Sequence, residues 1–334
     1  MSRLELTLGC GLYDRTVALF DGTVQPEGIS LNPIAFHPGE LFRRQARFAE
    51  FDVAEFSLAT LGILHAQGDQ RFVALPIYPA RRFRHEHIWI STQAGITSPA
   101  DLAGKRVGIQ EYIQTASVWI RGILADDFGV KSQDVEWCVG GYNTPDPEYA
   151  HRIPLTLAQA GITVTTIPPH ESIDGMLRRG ELAAAFPGVP QSFRDGSPDV
   201  ARLFKDYWDV EADYFARTGI FPIMHVVVVR REIYERHPWV AVSLAKAFEE
   251  ARRISDRRYD FSPGPLYASL PWLNHHLEET RHVLGHDYWS YGLQGNEHVI
   301  ETLMRYLGEQ GLVETPITDI RELFAPETHL GVEM

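Results

Sequence analysis

The 334-residue sequence contains only two cysteines, Cys10 and Cys138, and no Cys-x-x-Cys motif. A disulfide framework or a cysteine-based zinc site is therefore not expected. Long hydrophobic runs are also missing, and no apolar stretch approaches the length of a membrane span. Leu-Gly-Cys10 resembles a lipoprotein cleavage site, but no apolar segment precedes it, so we interpret Leu4–Gly9 as a first strand. We expect a soluble, cytoplasmic protein.

Basic residues are too few to balance the acidic ones: 31 Lys and Arg stand against 44 Asp and Glu, a formal net charge of −13. This balance argues against nucleic acid and anionic membranes as partners. A small anionic ligand is compatible with it, because local arginines can override the overall sign. The oligomeric state is left open, since the long C-terminal helices suit either packing on the rest of the chain or a homo-oligomer contact.

Short apolar or β-branched segments alternate with segments of helical spacing along most of the chain. This rhythm predicts an α/β fold with open, mainly parallel sheets. The length suits two lobes, and Phe221–Val229 is typical of a strand that crosses back into the first lobe. We predict a discontinuous first lobe of residues 1–86 plus 219–334, including the C-terminal helices, and a second lobe of residues 87–218.

One local signal stands out in the second lobe. Ser98–Leu102 predicts a short helical turn, Arg106–Ile109 a strand, Gln110–Gln114 a polar loop and Thr115–Ala125 a helix. A strand, a polar loop and a helix N-terminus in that order form an anion-binding arrangement, because free backbone N–H groups and the helix dipole point in front of Thr115. An ordinary βα unit with a simple N-cap explains the same pattern.

Several segments resemble known families. Gly28-Ile29, Asp101–Gly108 and Arg179–Ala185 look like type II periplasmic binding proteins. A longer series, spread over almost the whole chain, is similar to the 4,5-dihydroxyphthalate decarboxylase family. Its segments are Tyr13–Arg15, Phe51–Ser57, Phe83–His85, Trp119–Leu124, Arg217–His225, Tyr234–Trp239, Leu270–Trp272, Tyr291–Leu293 and Leu323–Glu327. The resemblance implies a two-lobed type II periplasmic-binding-protein-like fold and the non-oxidative conversion of 4,5-dihydroxyphthalate, a small aromatic carboxylate, to protocatechuate and CO2.

Such a reaction needs no redox cofactor, but it needs a cationic clamp for the retained carboxylate, a general acid at the ring carbon and an acceptor for the phenol. Arg15 and Arg84 are the clamp candidates, although an ordinary surface arginine explains each equally well. His85 and His225 are candidate proton donors, because they lie at the two predicted crossings and would face a cleft between the lobes. A satisfied buried histidine explains each equally well.

Two glutamates complete the candidate catalytic set. Glu55 lies near the end of a predicted strand, where it can accept from a catechol hydroxyl; Glu111, in the loop before the predicted anion site, can do the same or act as the acid. A plain ion pair with an arginine is the alternative for both. The predicted substrate-binding residues are Tyr13, Arg15, Ser57, Phe83, Arg84, Tyr112, Thr115 and Trp119. The candidate ring-stacking walls among them are Tyr13, Phe83 and Trp119, although such aromatics more often belong to a core.

Two histidine patterns have the spacing of metal ligands. His85-Glu86-His87 would place both histidines on one face of a strand, and His275, Glu279 and His282 share a helix face. Neither pattern has a matched partner set, so we predict no cofactor, with a divalent metal as the less favoured alternative. The alternative function is a non-enzymatic solute-binding protein for an aromatic acid, because a fold does not imply a function.

Overall fold

The structure is a computed structural model, and it describes residues 3–146, 161–259 and 266–329. The chain forms two compact units. The first comprises Met1–Arg81, Ile223–Ile300 and Asp319–Met334, and the second comprises Arg82–Pro222 and Glu301–Thr318. Within the part of the chain that is described, no helix combines the length and the apolar character that a membrane crossing requires.

Strands and helices alternate in both units. The strands are β1 (Leu4–Cys10), β2 (Ile29–Ala35), β3 (Val53–Ser57), β4 (Phe72–Arg81), β5 (Trp89–Ser91), β6 (Arg106–Ile109), β7 (Glu136–Val139), β8 (Thr163–Thr166), β9 (Ala184–Phe186), β10 (Val200–Arg202) and β11 (Ile223–Arg230). The helices are α1 (Val17–Phe20), α2 (Pro38–Phe48), α3 (Leu58–Ala66), α4 (Thr115–Phe128), α5 (Ile173–Arg178), α6 (Gln191–Arg194), α7 (Tyr207–Thr218), α8 (Arg231–Arg236), α9 (Trp239–Tyr259), α10 (Leu273–Leu284) and α11 (Glu297–Glu309).

The sheet of the first unit has the strand order β2-β1-β3-β11-β4. β1 pairs in parallel with β2 and β3, whereas β11 runs antiparallel to both of its neighbours. The valines at 226–229 of β11 are buried, because β-branched side chains suit a central strand. Leu244 and Phe248 of α9 share one hydrophobic cluster with Val227 and Val229. The return crossing predicted from the valine run is therefore a central strand of this sheet.

The sheet of the second unit has the strand order β10-β5-β9-β6-β7-β8. β9, β6, β7 and β8 are parallel, and β5 is antiparallel to both of its neighbours. Gly108 on β6 lets α5 approach closely, because a Cβ there would lie 2.6 Å from Ile173 and 2.8 Å from Leu182. These two side chains pack with Trp89 in the hydrophobic core of the unit.

Most predicted elements are present, and the α/β prediction is confirmed; two local predictions are wrong. The strand predicted from His87 is preceded by a 3₁₀ turn at His85–His87, and β5 covers only Trp89–Ser91. The spacing of Tyr13–Leu19 predicts a helix, but α1 begins only at Val17, because residues 13–16 form a turn in which Thr16 Oγ1 accepts the Tyr13 N–H. The sequence also predicts a polar insertion at 143–154, which lies largely outside the described residues.

The unit boundaries differ from the predicted lobes most clearly at residues 301–318, which the sequence assigned to the first lobe and which group with the second unit. Tyr306 packs edge-on against Trp119 of α4, with ring centroids 5.6 Å apart. The Gln310 side chain donates to Val118 O and accepts from Arg121. These contacts hold the segment on α4, and helical periodicity alone does not reveal which unit an amphipathic face covers.

Candidate active site

The carboxyl ends of β1 and β3 bring polar side chains together in the first unit. The strand register pairs Gly9 of β1 with Ala54 of β3. The next residues of the two strands, Cys10 and Glu55, therefore lie side by side at the same edge of the sheet. β11 runs antiparallel beside β3 and places His225 opposite Ser57. Three strands that are distant in sequence thus assemble one cluster.

Glu55 has a fully buried carboxylate, and donors occupy both of its oxygens. Oε2 accepts the Gly11 N–H at 2.8 Å and faces the Cys10 thiol at 3.6 Å. Oε1 accepts the Tyr13 hydroxyl at 2.9 Å and lies 2.5 Å from Nδ1 of His225. These four groups replace the water that burial removes. They also leave little acceptor capacity for a substrate hydroxyl, so the geometry favours a positioning role over the predicted contact with a catechol.

Glu55 is the anion of this cluster. Burial raises its pKa, but the hydrogen bond and the charge of His225, together with the Gly11 and Tyr13 donors, outweigh burial and hold the pKa below its usual value. The carboxylate acts in turn on its neighbours. Burial and the negative charge of Glu55 both raise the pKa of the Tyr13 phenol and the pKa of the Cys10 thiol. Tyr13 and Cys10 therefore remain protonated donors.

His225 is held in one orientation. An ionised carboxylate only accepts hydrogen bonds, so Nδ1 carries the proton in the contact with Glu55. Phe42 packs edge-on against the imidazole with ring centroids 4.7 Å apart. The side chain is still 17% exposed, and Nε2 is the ring nitrogen left for a ligand. A histidine backed by a carboxylate in this way can give or take a proton at its second nitrogen.

Ser57 and Arg15 flank this cluster. Ser57 caps α3, and its Oγ accepts from both the N–H and the hydroxyl of Thr60. The Arg15 guanidinium lies 4.4 Å from the centroid of the Tyr13 ring and donates from Nε to Pro79 O at 2.6 Å. Because the Tyr13 hydroxyl is bound to Glu55, one phenol connects the guanidinium with the carboxylate. Tyr13, Arg15, Glu55 and His225, all predicted from the sequence, thus form one contiguous group.

His85 lies in the second unit, next to a buried carboxylate from α7. Glu211 accepts the Glu86 N–H at 3.0 Å, and its nearest oxygen is 3.9 Å from Nδ1 of His85. Neither ring nitrogen of His85 has a hydrogen-bond partner among the described residues. Burial lowers the pKa of His85 to about 4 and raises the pKa of Glu211 to about 7. His85 thus belongs to the second unit, and its proton-donor role stays a prediction.

Phe83 and Arg84 precede this histidine in the second unit. The Phe83 ring packs on Phe221 with centroids 4.8 Å apart, within a small aromatic group. Burial and the charge of Arg82 lower the pKa of Arg84 to about 9, which leaves the guanidinium charged at neutral pH. The clamp role of Arg84 and the stacking role of Phe83 stay predictions.

The predicted succession of strand, polar loop and helix around Thr115 is present, but its aromatic residues Tyr112 and Trp119 belong to the core. α4 begins at Thr115 as predicted, after Gln114 as N-cap, and Glu111 is half-buried in the preceding loop. Tyr112 is 2% exposed and donates its hydroxyl to Gln310 O, and Trp119 is fully buried. Side chains without exposed surface offer no face to a ligand. Their predicted ligand contacts therefore do not fit this burial.

The predicted metal-ligand patterns do not develop into a site within the described residues, where no three His, Cys, Asp or Glu side chains are grouped to hold a metal ion. His85 and His87 lie on a 3₁₀ turn, so the argument from alternation along a strand fails. His275, Glu279 and His282 do share α10, as predicted. Whether the protein needs a metal stays a question for chelation.

Sequence reasoning missed two residues of the cluster in the first unit. The sequence around Cys10 shows no partner for the thiol, because its place beside Glu55 depends on the register of β1 with β3. Trp289 packs on Arg15, with its ring centroid 4.2 Å from the guanidinium carbon. No local sequence pattern predicts this contact, because Arg15 and Trp289 are far apart in the chain.

Comparison with known structures places the fold. No family model matches the chain. The sulfonate-binding protein SsuA from Methylobacillus flagellatus superposes with a TM-score of 0.56 at 13% identity, covering 98% of this chain and 93% of that chain. At this identity the likeness concerns the fold alone, and it confirms the predicted periplasmic-binding-protein-like architecture.

Comparison with curated proteins places the family. The chain is 36% identical over 327 residues to the 4,5-dihydroxyphthalate decarboxylase of Comamonas testosteroni, which covers 98% of both proteins. It is 38% identical over 216 residues to the protein of the same name from Pseudomonas putida, covering 64% of this chain and 83% of that protein. The chain therefore belongs to the 4,5-dihydroxyphthalate decarboxylase family.

Proposed function

We propose that this protein is a carboxy-lyase that converts 4,5-dihydroxyphthalate to protocatechuate and CO2, with His225 as the proton donor. The observation that carries the proposal is the 2.5 Å contact between Nδ1 of His225 and the buried Glu55, in a chain 36% identical to a decarboxylase of that name over 98% of its length. The reaction consumes one proton at a ring carbon, and a histidine held in this way supplies one.

The chemistry needs electron release towards the carbon that is protonated. In 4,5-dihydroxyphthalate a hydroxyl lies para to each carboxylate, so it feeds negative charge to the ring carbon that bears that carboxylate. A proton from Nε2 of His225 forms a C–H bond at this carbon. The bond to the carboxylate then breaks, its electron pair restores the aromatic ring, and CO2 leaves. His225 regains a proton from solvent, so one proton is consumed for each CO2 released.

Glu55 supports this step without touching the substrate. It fixes the ring of His225 through Nδ1 and balances the charge of the imidazolium form. The Gly11 and Tyr13 donors keep Glu55 ionised, so it does not compete for the proton that His225 delivers. Positioning of this kind restricts the donor to one nitrogen and one direction.

Arg15 is the partner we propose for the retained carboxylate. Its guanidinium is 16% exposed and lies on the Tyr13 ring, which also reaches Glu55. Arginine suits planar carboxylates, because its N–H groups can donate in pairs. We also expect the protein to act in the cytoplasm, where the two free cysteines, Cys10 and Cys138, would stay reduced.

The test is direct. Chelator-treated protein is incubated with 4,5-dihydroxyphthalate, and CO2 release and the aromatic product are followed by gas analysis and chromatography. Release of one CO2 per protocatechuate formed supports the proposal and the prediction that no metal is needed. Activity that returns only when a divalent ion is added would keep the reaction but overturn the metal prediction.

A second candidate follows from the fold. The likeness to SsuA, at a TM-score of 0.56, suits a protein that binds an aromatic acid without transforming it. A ligand-induced rise in melting temperature without any turnover, with or without metal, would favour this candidate over the carboxy-lyase.

A further inference from the structure

The segment that follows α10 places an indole on the arginine of the candidate site. The guanidinium carbon of Arg15 lies 4.2 Å from the Trp289 ring centroid and 4.4 Å from the Tyr13 ring centroid. We propose that Trp289 is a positioning residue that holds Arg15 against Tyr13 and thereby sets the affinity for the retained carboxylate. This inference deepens the proposed function and rests on it for the identity of the substrate.

The indole is anchored to the sheet. Trp289 Nε1 donates to Tyr78 O at 3.0 Å, and the Gly292 N–H donates to Pro76 O at 2.7 Å. Arg81, near the end of β4, donates to Ser290 O at 2.7 Å. Three hydrogen bonds, from Trp289 itself and from the residues that follow it, therefore tie this segment to β4. The indole is a fixed surface, and Arg15 rests on it.

The Tyr13 and Trp289 rings both lie against the Arg15 guanidinium. Two aromatic rings cover Arg15, and attraction between a cation and a ring strengthens when water is removed. Nε is bound to Pro79 O, and Nη1 contacts Asp14 Oδ1 at 2.9 Å. Asp14 is the competing carboxylate and is 36% exposed, so it can turn to solvent when a ligand carboxylate arrives. An arginine held in advance loses less conformational freedom on binding.

A purely structural role for Trp289 predicts different behaviour. If the indole only secured the segment after α10 to β4, its loss would lower thermal stability and leave the affinity of correctly folded protein unchanged. If it acts through Arg15, its loss must raise KM and must do so only while Arg15 is present. A double-mutant cycle separates these two cases.

The experiment measures KM and kcat for Trp289→Leu, Trp289→Phe, Arg15→Lys and the Trp289→Leu/Arg15→Lys double variant. We expect Trp289→Leu to raise KM about tenfold, and Trp289→Phe to retain most of the affinity because it keeps an aromatic face. kcat should change less than about twofold, since the interaction serves binding and not the chemical step. Adding Trp289→Leu to Arg15→Lys should raise KM no further. Trp272→Leu is the control, because Trp272 is a 70% exposed tryptophan of the same unit.

Additive effects of the two substitutions, or a lower melting temperature with unchanged KM, would overturn the proposal. If Trp289→Leu does not fold, Trp289→Met takes its place in the cycle, because a flexible thioether fills the space without an aromatic face. Calorimetric titration with phthalate separates this inference from the proposed function. If the parent protein binds phthalate but releases no CO2 from 4,5-dihydroxyphthalate, the decarboxylase proposal fails. The double-mutant cycle can then be measured with the Kd for phthalate in place of KM, and it still supports or overturns the role of Trp289.

Discussion

Each compact unit places a histidine beside a buried glutamate, and the two pairs differ in almost every physical respect. In the first unit Nδ1 of His225 lies 2.5 Å from Glu55; in the second, Nδ1 of His85 lies 3.9 Å from Glu211. Glu55 carries a lowered pKa, whereas the pKa of Glu211 is raised to about 7. The same two residue types thus share a short hydrogen bond to an ionised carboxylate in one unit and lie apart, with a neutral histidine, in the other.

The difference comes from the donors around each carboxylate. Glu55 is surrounded by Gly11, Tyr13, Cys10 and His225, which stabilise its charge despite complete burial. Glu211 lies beside the carboxylate of Glu86, and the backbone donors it accepts from do not offset burial. Burial raises the pKa of a carboxylate, and hydrogen bonds together with an opposite charge can reverse that effect.

The comparison favours His225 over His85 as the proposed proton donor. His225 has a carboxylate that fixes its ring and an exposed fraction through which it can meet a ligand. His85 is 1% exposed, and burial keeps it neutral at physiological pH. Both were candidate proton donors by their positions near the predicted crossings. Only their surroundings separate them.

Replacing the two histidines in turn should give the largest difference between the units. We expect His225→Asn to lower kcat by about 10²–10⁴-fold, because the general acid is lost. His85→Asn should change kcat by less than about threefold, since a neutral buried ring supplies no proton. The measurement is kcat, with the ligand-induced rise in melting temperature as the control for folding and binding. An equal loss of turnover in both variants would refute the assignment.

Removing the charge of Glu55 should have the next largest effect. Glu55→Gln presents an amide to groups that all donate, so we expect kcat to fall about 10²-fold because His225 loses its fixed tautomer. Stability should fall by about 1–3 kcal/mol, because a buried donor is left unsatisfied. Glu211→Gln is the matched control for turnover and should leave kcat within about twofold. If Glu55→Gln and Glu211→Gln change kcat equally, the number of donors around each carboxylate is not what separates the two pairs.

The two pairs should respond oppositely to pH. Glu211 has a raised folded pKa, so its contribution to stability is complete below pH 4.5 and disappears as the pH rises towards 7. Glu55 has a lowered folded pKa, so its contribution is present above pH 4.5 and is lost as the pH falls through the folded value. Glu211→Gln should therefore gain about 2–3 kcal/mol relative to the parent between pH 5 and pH 7.5. Glu55→Gln should keep an almost constant deficit relative to the parent between these pH values, and the deficit should shrink only as the pH falls below 4.5.

Urea unfolding of the parent, Glu211→Gln and Glu55→Gln, at about pH 5 and about pH 7.5, measures these differences in the free energy of unfolding. His85 adds an opposite slope in the parent, because its lowered pKa makes stability fall as the pH drops from 6.5 towards 4. The parent should consequently show a flatter dependence than Glu211→Gln. Parallel curves for the parent and Glu211→Gln would show that Glu211 does not titrate as the geometry implies.

Arg84, next to His85, provides the smallest expected effect. We expect Arg84→Ala to raise KM for 4,5-dihydroxyphthalate about fivefold. The Kd for benzoate, a monocarboxylate, should stay almost unchanged, because only the second carboxylate of a dicarboxylate needs another cation. Steady-state kinetics with 4,5-dihydroxyphthalate and calorimetry with benzoate measure the two cases. Equal weakening of both ligands would remove Arg84 from the clamp and leave carboxylate recognition to Arg15.

Local patterns predicted much of the fold. The alternation of β-branched and helical segments gave the α/β class, and the valine run at 226–229 marked β11. The polar loop before Thr115 was placed correctly, because a strand end and a helix start both leave local signals. The 3₁₀ turn at His85–His87 was missed, since alternation over three residues fits a turn as well as a strand.

The amino-acid sequence by itself determined the fold class, the family and four members of the candidate site, Tyr13, Arg15, Glu55 and His225. It did not determine how they act. That Glu55 is saturated with donors, that Trp289 covers Arg15, and that Trp119 is core and not ligand wall depend on contacts between residues far apart in the chain. The tertiary structure decided these points, because strand register and burial set the distances and the local dielectric on which hydrogen bonds and pKa values depend.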